Sequence, residues 1–233
     1  FCIFEILEIF KVIFENFENF EKKKKIFWKF GNFGKFQLIS KDYSKVIWVG
    51  MEYRYMPPVK KLIERVHNKT LGKLKMVSIR EHRFPFLKKV DNWNRFDSNT
   101  GGTMVEKCCH FFDLMRFITQ SEVKQVFASG SQDVNHLDEK YSGKVPDIID
   151  NGFVIIDFQS GVRGLLDLCM FAENSEYQEE VVAVGDKGKI EAFVPSHDSG
   201  KNISEVKMGM RNSSTIITDD IEVDKKILMA GHH

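Results

Sequence analysis

Three side chains in one short stretch have the types and spacing that could do chemistry. Glu106, His110 and Asp113 stand at i, i+4 and i+7 within NTGGTMVEKCCHFFDLMRFI, residues 99–118. In a helix of about 3.6 residues per turn they share one face. An imidazole with a carboxylate beside it titrates close to neutral pH, the range that acid–base catalysis needs. Met104, Val105, Cys108, Phe111, Phe112, Met115 and Ile118 make the rest of this helix apolar and wide enough for burial on more than one side. A charged stripe on a mostly buried helix is costly unless it is paired or used. A metal site is the competing reading, since i, i+4 ligands can share a zinc ion, but no third ligand stands nearby and none is assigned. For Asp113 an ion pair with Arg116, or a cap on a neighbouring loop, is the structural alternative.

The elements that must hold this stripe are legible on both sides of it. Gly101 and Gly102 end a loop, and Asn99 or Thr100 is placed to cap the helix. Upstream, residues 45–55 form a β-branched and aromatic run that predicts a strand. Pro57 or Pro58 then opens a helix to about His67, with Val59, Leu62, Ile63 and Val66 as its apolar stripe. Residues 73–84 predict a strand with Leu74, Met76, Ser78, Arg80 and His82 facing one way, followed by an irregular loop to residue 98. Downstream come strands at 123–131, 151–158 and 162–171, the last two joined by the Gln159-Ser160-Gly161 turn. Strands at 177–184 and 189–194 form a second hairpin, with further strands at 205–210 and 214–218. Consecutive hairpins after grouped helices indicate the α+β class, an open, mostly antiparallel sheet with helices on one face.

Composition excludes several classes. The 233-residue chain has a net charge of +1, so no global field favours nucleic acid or an anionic membrane. No apolar run has the length of a membrane span, and no signal peptide is evident. Cys2, Cys108, Cys109 and Cys169 form no C-x-x-C pair and read as reduced thiols of a cytoplasmic protein. Residues 1–36 contain 10 Phe among Glu, Lys, Ile and Asn, and read as a low-complexity extension of non-native origin. A membrane-surface helix is the sharper reading there, opposed by Glu5, Glu8, Glu15, Glu18 and Glu21.

Three segments together, VGMEYRYMPP, GGTMVEKCCHFFDLM and VGDKGKIEAFVP, resemble the Gfo/Idh/MocA oxidoreductases, whose members include inositol dehydrogenase and glucose–fructose oxidoreductase. The likeness runs from about residue 40 to 194. The family pattern G-G followed by D-x-G-x-H-x-x-D places Gly101, Gly102, His110 and Asp113 on its fixed positions; Glu106 replaces the first aspartate and Cys108 the glycine. The resemblance implies an NAD(P)-dependent enzyme acting on a secondary alcohol of a sugar, inositol or related polyol. In it His110 handles the hydroxyl proton, hydride goes to the nicotinamide, and Glu106 contacts substrate or orients the imidazole. It also implies a C-terminal substrate domain and a homo-oligomer through the sheet.

The likeness divides the chain into the extension 1–36, a remnant of the end of a dinucleotide-binding domain at 37–56, and an α+β domain at 57–233, expected to be truncated at its end. No G-x-G-x-x-G unit and no Glu-Lys-Pro motif is present, and Glu106-Lys107 precedes Cys108 inside the helix. NAD or NADP is therefore expected in the intact parent, no cofactor-binding residue is assignable, and this chain alone should bind none tightly and show little activity. Arg54, His82, Arg83, Trp93 and Asp113 are candidate substrate contacts. Arg80, His82 and Arg83 would line the substrate face of the sheet, with Lys88 and Trp93 from the next loop; a solvated strand edge is the plain alternative. Arg54 suits a structural ion pair equally well, and His136 lies in a polar loop that either covers a pocket or is simply exposed. A non-catalytic binding or oligomerisation module is the other functional class.

Overall fold

The structure is a computed structural model and describes residues 50–196 and 203–222. The Phe-rich extension, residues 37–49 and the end of the chain after 222 lie outside the described residues.

Helix α1 (Pro57–His67) begins with two prolines, whose missing amides cost nothing in a first turn. It buries Val59, Leu62, Ile63 and Val66, the predicted stripe. Strand β1 (Leu74–His82) follows, and then a loop containing a kinked 3-10 segment, Val90–Arg95, in which Asp91 and Asn92 are left-handed. Three helical pieces come next: α2 (Asp97–Thr100), α3 (Thr103–Glu106) and α4 (Cys109–Thr119). Seven strands complete the fold: β2 (Val123–Ser131), β3 (Asn151–Phe158), β4 (Arg163–Cys169), β5 (Tyr177–Gly185), β6 (Gly188–Pro195), β7 (Ile203–Met210) and β8 (Ile216–Glu222).

The eight strands form one sheet in the order β2-β3-β4-β1-β5-β6-β7-β8. Every neighbouring pair is antiparallel except β1 and β4. This is the α+β, mostly antiparallel open sheet that the hairpins predict. One face is covered by α1 and α4, whose Leu62, Phe111, Phe112, Leu114 and Met115 meet Val77, Ile79, Val154, Leu166, Val181 and Ala192. Each such large side chain removed from water contributes roughly 1.5–3 kcal/mol. Gly164 lets α4 approach: a Cβ there would stand 3.0 Å from the Phe158 ring and 3.1 Å from Met115 Sδ.

The structure corrects three expectations. Of the strand predicted at 45–55, the described part is not extended: Glu52–Tyr55 is a 3-10 turn. The helix expected to follow Gly101-Gly102 does begin there, at Thr103, but it is broken once, and neither Asn99 nor Thr100 caps it. Gly101 (φ 93°) and Gly102 (φ 75°) are both left-handed, which favours glycine and separates α2 from α3. The break is at Lys107-Cys108, whose amides both donate to the Thr103 carbonyl, at 3.0 and 3.1 Å. That widened, π-like turn shifts the helical phase. The Cys108 carbonyl then accepts from Phe111 and Phe112, both at 3.0 Å, and α4 begins anew.

The third correction concerns the faces of β1. Val77, Ile79 and Glu81 occupy the buried phase of the strand. Arg80 and His82 therefore lie on the other face, where both bond Asp167 of β4. The substrate-face cluster of Arg80, His82 and Arg83 does not form.

Candidate functional site

The phase shift at Lys107 gives each member of the predicted stripe a different partner. Glu106 ends α3 and takes an ion pair from Lys89, at 2.8 Å. Its second oxygen, Oε2, is buried and has no donor among the described residues. Lys89 Nζ also lies 5.4 Å from the centre of the Trp93 ring, so the loop joins Trp93 to Glu106 through one ammonium group. His110, in the first turn of α4, sets Nδ1 3.6 Å from a Glu52 carboxylate oxygen and stacks against the Tyr53 ring at 5.1 Å between centroids. Burial raises the Glu52 carboxyl above its ordinary range, while its own backbone amide and Lys107 pull it down less strongly.

Asp113 is paired with Arg54, not Arg116. The carboxylate is 1% exposed and accepts from both Arg54 Nε, at 2.6 Å, and a terminal guanidinium nitrogen. Arg54 also covers the Phe117 ring at 4.3 Å. This forked pair ties the Glu52–Tyr55 turn to α4. Arg54 and Asp113 thus engage each other, while Arg116 pairs with Glu122.

Behind the imidazole is a cluster of buried charges that the sequence reading missed. Glu81 and Glu179 are direct cross-strand partners on β1 and β5, and both are fully buried. Two carboxylates opposite one another repel unless cations stand with them. Lys107 supplies one charge, at 3.0 Å from Glu81, and Arg83 a second, at 3.4 Å. Lys107 also donates to the Tyr53 hydroxyl at 2.5 Å, and that hydroxyl donates to Glu179 at 3.1 Å. Burial pushes the Glu81 carboxyl up to about 7, against the pull of Lys107 and with a further push from Glu179. Burial, with the negative charges of Glu81 and Glu179, holds the Tyr53 phenol protonated well above its usual range. Arg83, which also lies over the Phe84 ring at 4.3 Å, is therefore part of this cluster.

A signal for the cluster existed. Glu81 follows Val77 and Ile79 on the buried phase of β1, and Glu179 precedes Val181 and Ala183 on that of β5. Charged residues on the apolar phase of two strands, with a lysine inside an apolar helical run, are the pattern of a compensated buried set.

The loop at 132–149 is a brace. Asp150 accepts from the amides of Val134 and Asn135 at 2.8 and 2.7 Å. The His136 side chain is 7% exposed and bonds Glu139 at 3.1 Å, which Arg95 and Tyr141 also hold, at 3.0 and 2.7 Å. Burial raises the Glu139 carboxyl, but bonds from Tyr141 and His136 and the charges of His136 and Arg95 outweigh it and hold it at about 2. His136 is thereby an anchor of the loop and not a group facing a pocket.

Among the described residues no group of three or more His, Cys, Asp or Glu side chains is arranged to hold a metal ion, and no helix is long and apolar enough to cross a membrane. Nor do they contain a glycine-rich strand–turn–helix unit of the kind that cradles a dinucleotide pyrophosphate.

Comparison with known proteins agrees with this architecture. Residues 63–227 match the model of the oxidoreductase family C-terminal alpha/beta domain, GFO_IDH_MocA_C. The chain is 33% identical over 151 residues to myo-inositol 2-dehydrogenase of Thermotoga maritima, a match covering 65% of this chain and 42% of that enzyme. Among solved structures, levoglucosan dehydrogenase in complex with NADH superposes with a TM-score of 0.61 at 16% identity, over 80% of this chain and 49% of that one. An oxidoreductase domain protein from Kribbella flavida gives 0.59 at 18% identity, over 75% and 46%. At those identities the superpositions show the fold alone. The chain spans less than half the length of each of these relatives. Matched over most of its length by the family's C-terminal domain, this chain belongs to the Gfo/Idh/MocA oxidoreductase family.

Proposed function

We propose that this domain is the substrate-holding part of an NAD(P)-dependent oxidoreductase acting on a secondary alcohol of a sugar, inositol or related polyol. His110 is its acid–base group and Glu106 a substrate contact. The observation that carries the reading is the buried Oε2 of Glu106, which has no donor among the described residues, across the helix break from the His110 imidazole. A buried carboxylate oxygen without a donor is costly, and a substrate hydroxyl is the natural group to supply one. His110 takes the proton of the reacting hydroxyl in one direction and returns it in the other, with Glu52 favouring the imidazolium form between. Trp93 offers a ring for a sugar face beside Lys89. Arg54 and Asp113 serve as the brace between the 3-10 turn and α4. His82 faces away from the helices and belongs to no contact set on this side. The nicotinamide, which supplies hydride exchange when bound, is the contribution of a dinucleotide-binding domain.

The polyol class is supported by the 33% identity to an inositol dehydrogenase. The cytoplasm is the compartment we assign, on the free thiols of Cys108, Cys109 and Cys169. The test is oxidation of myo-inositol by this chain joined in frame to the dinucleotide-binding domain of the Thermotoga maritima relative. Glu106→Gln should raise KM for the polyol roughly tenfold or more, by loss of a charged hydrogen bond. An unchanged KM would remove Glu106 from the substrate.

A second reading has its own observation. The uncovered sheet face exposes Phe127, Phe153, Ile155 and Leu165 on adjacent strands. Such a contiguous patch suits self-association through the sheet. That fits a homo-oligomeric enzyme, and equally a non-catalytic oligomerisation module, which would keep its assembly and lack polyol turnover.

A further inference from the structure

The break at Lys107 turns its side chain into the interior, where its ammonium group meets Glu81 and the Tyr53 hydroxyl. Tyr53 is thus gripped at its tip by Lys107 on one side and Glu179 on the other. Its ring is wedged edge-on against Phe111, at 5.3 Å and 81°. The remaining face of the ring lies against the His110 imidazole, with the two planes 32° apart. The preceding residue in the same one-turn segment, Glu52, places the carboxylate near His110 Nδ1. One turn of chain therefore carries both the stacking partner and the counter-charge of the imidazole.

We infer that Lys107 and Tyr53 are a positioning pair for His110. The buried ammonium pins the phenol, the phenol fixes the Glu52–Tyr55 segment, and that segment sets the orientation and charge environment of the imidazole. The functional meaning of the pair rests on the acid–base reading of His110, but its geometry does not. Among the described residues the charged and titratable groups around the imidazole include Glu52 and Tyr53 from the turn and Lys107, Cys109 and Asp113 from its own stretch, with Arg54 opposing Asp113. Glu81 and Glu179 of the sheet lie behind Tyr53. The rival account is that Lys107 only compensates the two buried glutamates and that Tyr53 only fills space.

The experiment is an NMR titration of the full chain carrying 13C-labelled histidine, with the His110 signal identified by its loss in His110→Asn. In the unaltered chain the imidazole carbon-bound proton should be displaced upfield by the Tyr53 ring current. Tyr53→Phe keeps the ring but releases it from Lys107 and Glu179. A loosened Glu52 favours the imidazolium less, so the His110 midpoint should fall by several tenths of a pH unit, toward the value in Glu52→Gln. Combining the two changes should lower it no further. Lys107→Met separates the accounts: loss of a nearby cation acting by charge alone raises the midpoint, whereas loss of positioning lowers it. Should either variant fail to fold, Glu179→Gln removes the charged acceptor of the phenol and gives the same readout. A His110 signal and midpoint unchanged in Tyr53→Phe, with only thermal stability altered, or a midpoint that rises in Lys107→Met, would overturn the inference. Because the signal is read without turnover, its failure is distinct from failure of the acid–base assignment.

Discussion

The two faces of the sheet treat charge in opposite ways. On the helix-covered face Glu81, Glu179, Lys107 and Arg83 are buried together, and each carboxylate has a cation or a phenol in reach. On the open face Arg80 pairs with Asp167 and Glu180 in partial contact with water, next to exposed apolar side chains. The inner set is held by geometry that solvent cannot replace, and the outer set is screened and replaceable. The catalytic candidates sit against the inner set, and the surface suited to self-association is the outer one.

Breaking the inner set should have the largest effect. Lys107→Met leaves two buried carboxylates with one cation, and urea unfolding should show a loss of about 3–5 kcal/mol. Next in size is Gly164→Val, which forces a branched side chain between Phe158 and Met115 and should cost roughly 1–3 kcal/mol in the same assay. The inner set should also show itself in pH. The Glu81 carboxyl rises from 4.5 to about 7 on folding, so the folded state favours its protonated form. Stability from this group is full below about pH 4.5 and is lost as pH rises through 7. Glu81→Gln should flatten that part of the stability profile; an unchanged slope between those values would assign it to another group. On the outer face, Arg80→Ala should change stability by less than about 1 kcal/mol. Phe153→Lys with Ile155→Lys should leave the fold intact and lower the sedimentation coefficient if the open face joins copies of the chain.

What the sequence made legible follows from period. Strands β3 and β4, and β5 and β6, are apolar or β-branched runs joined in pairs by short glycine-containing turns, so their positions and hairpin pairing are readable from residues alone. Helix α1 announced itself through two prolines and a regular stripe. The candidate site was half legible. His110 and Glu106 stand out by type and spacing, but that spacing puts them on one face only in an unbroken helix. The Thr103 carbonyl shared by two amides, which shifts the phase, has no residue signature. Lys107 stands in an apolar run, but its inward turn depends on that shifted phase. Glu81 and Glu179 were visible on the buried phases of their strands, yet their meaning depends on strands 98 residues apart becoming neighbours. Pairing Arg54 with Asp113 likewise needs the 3-10 turn to fold against α4.

The most direct measurement is turnover of a secondary alcohol by the chain joined to a dinucleotide-binding domain, with and without His110→Ala. The account predicts that the substitution lowers kcat by roughly 10²–10⁴-fold while the protein still folds. Undiminished kcat in a folded His110→Ala protein would contradict it.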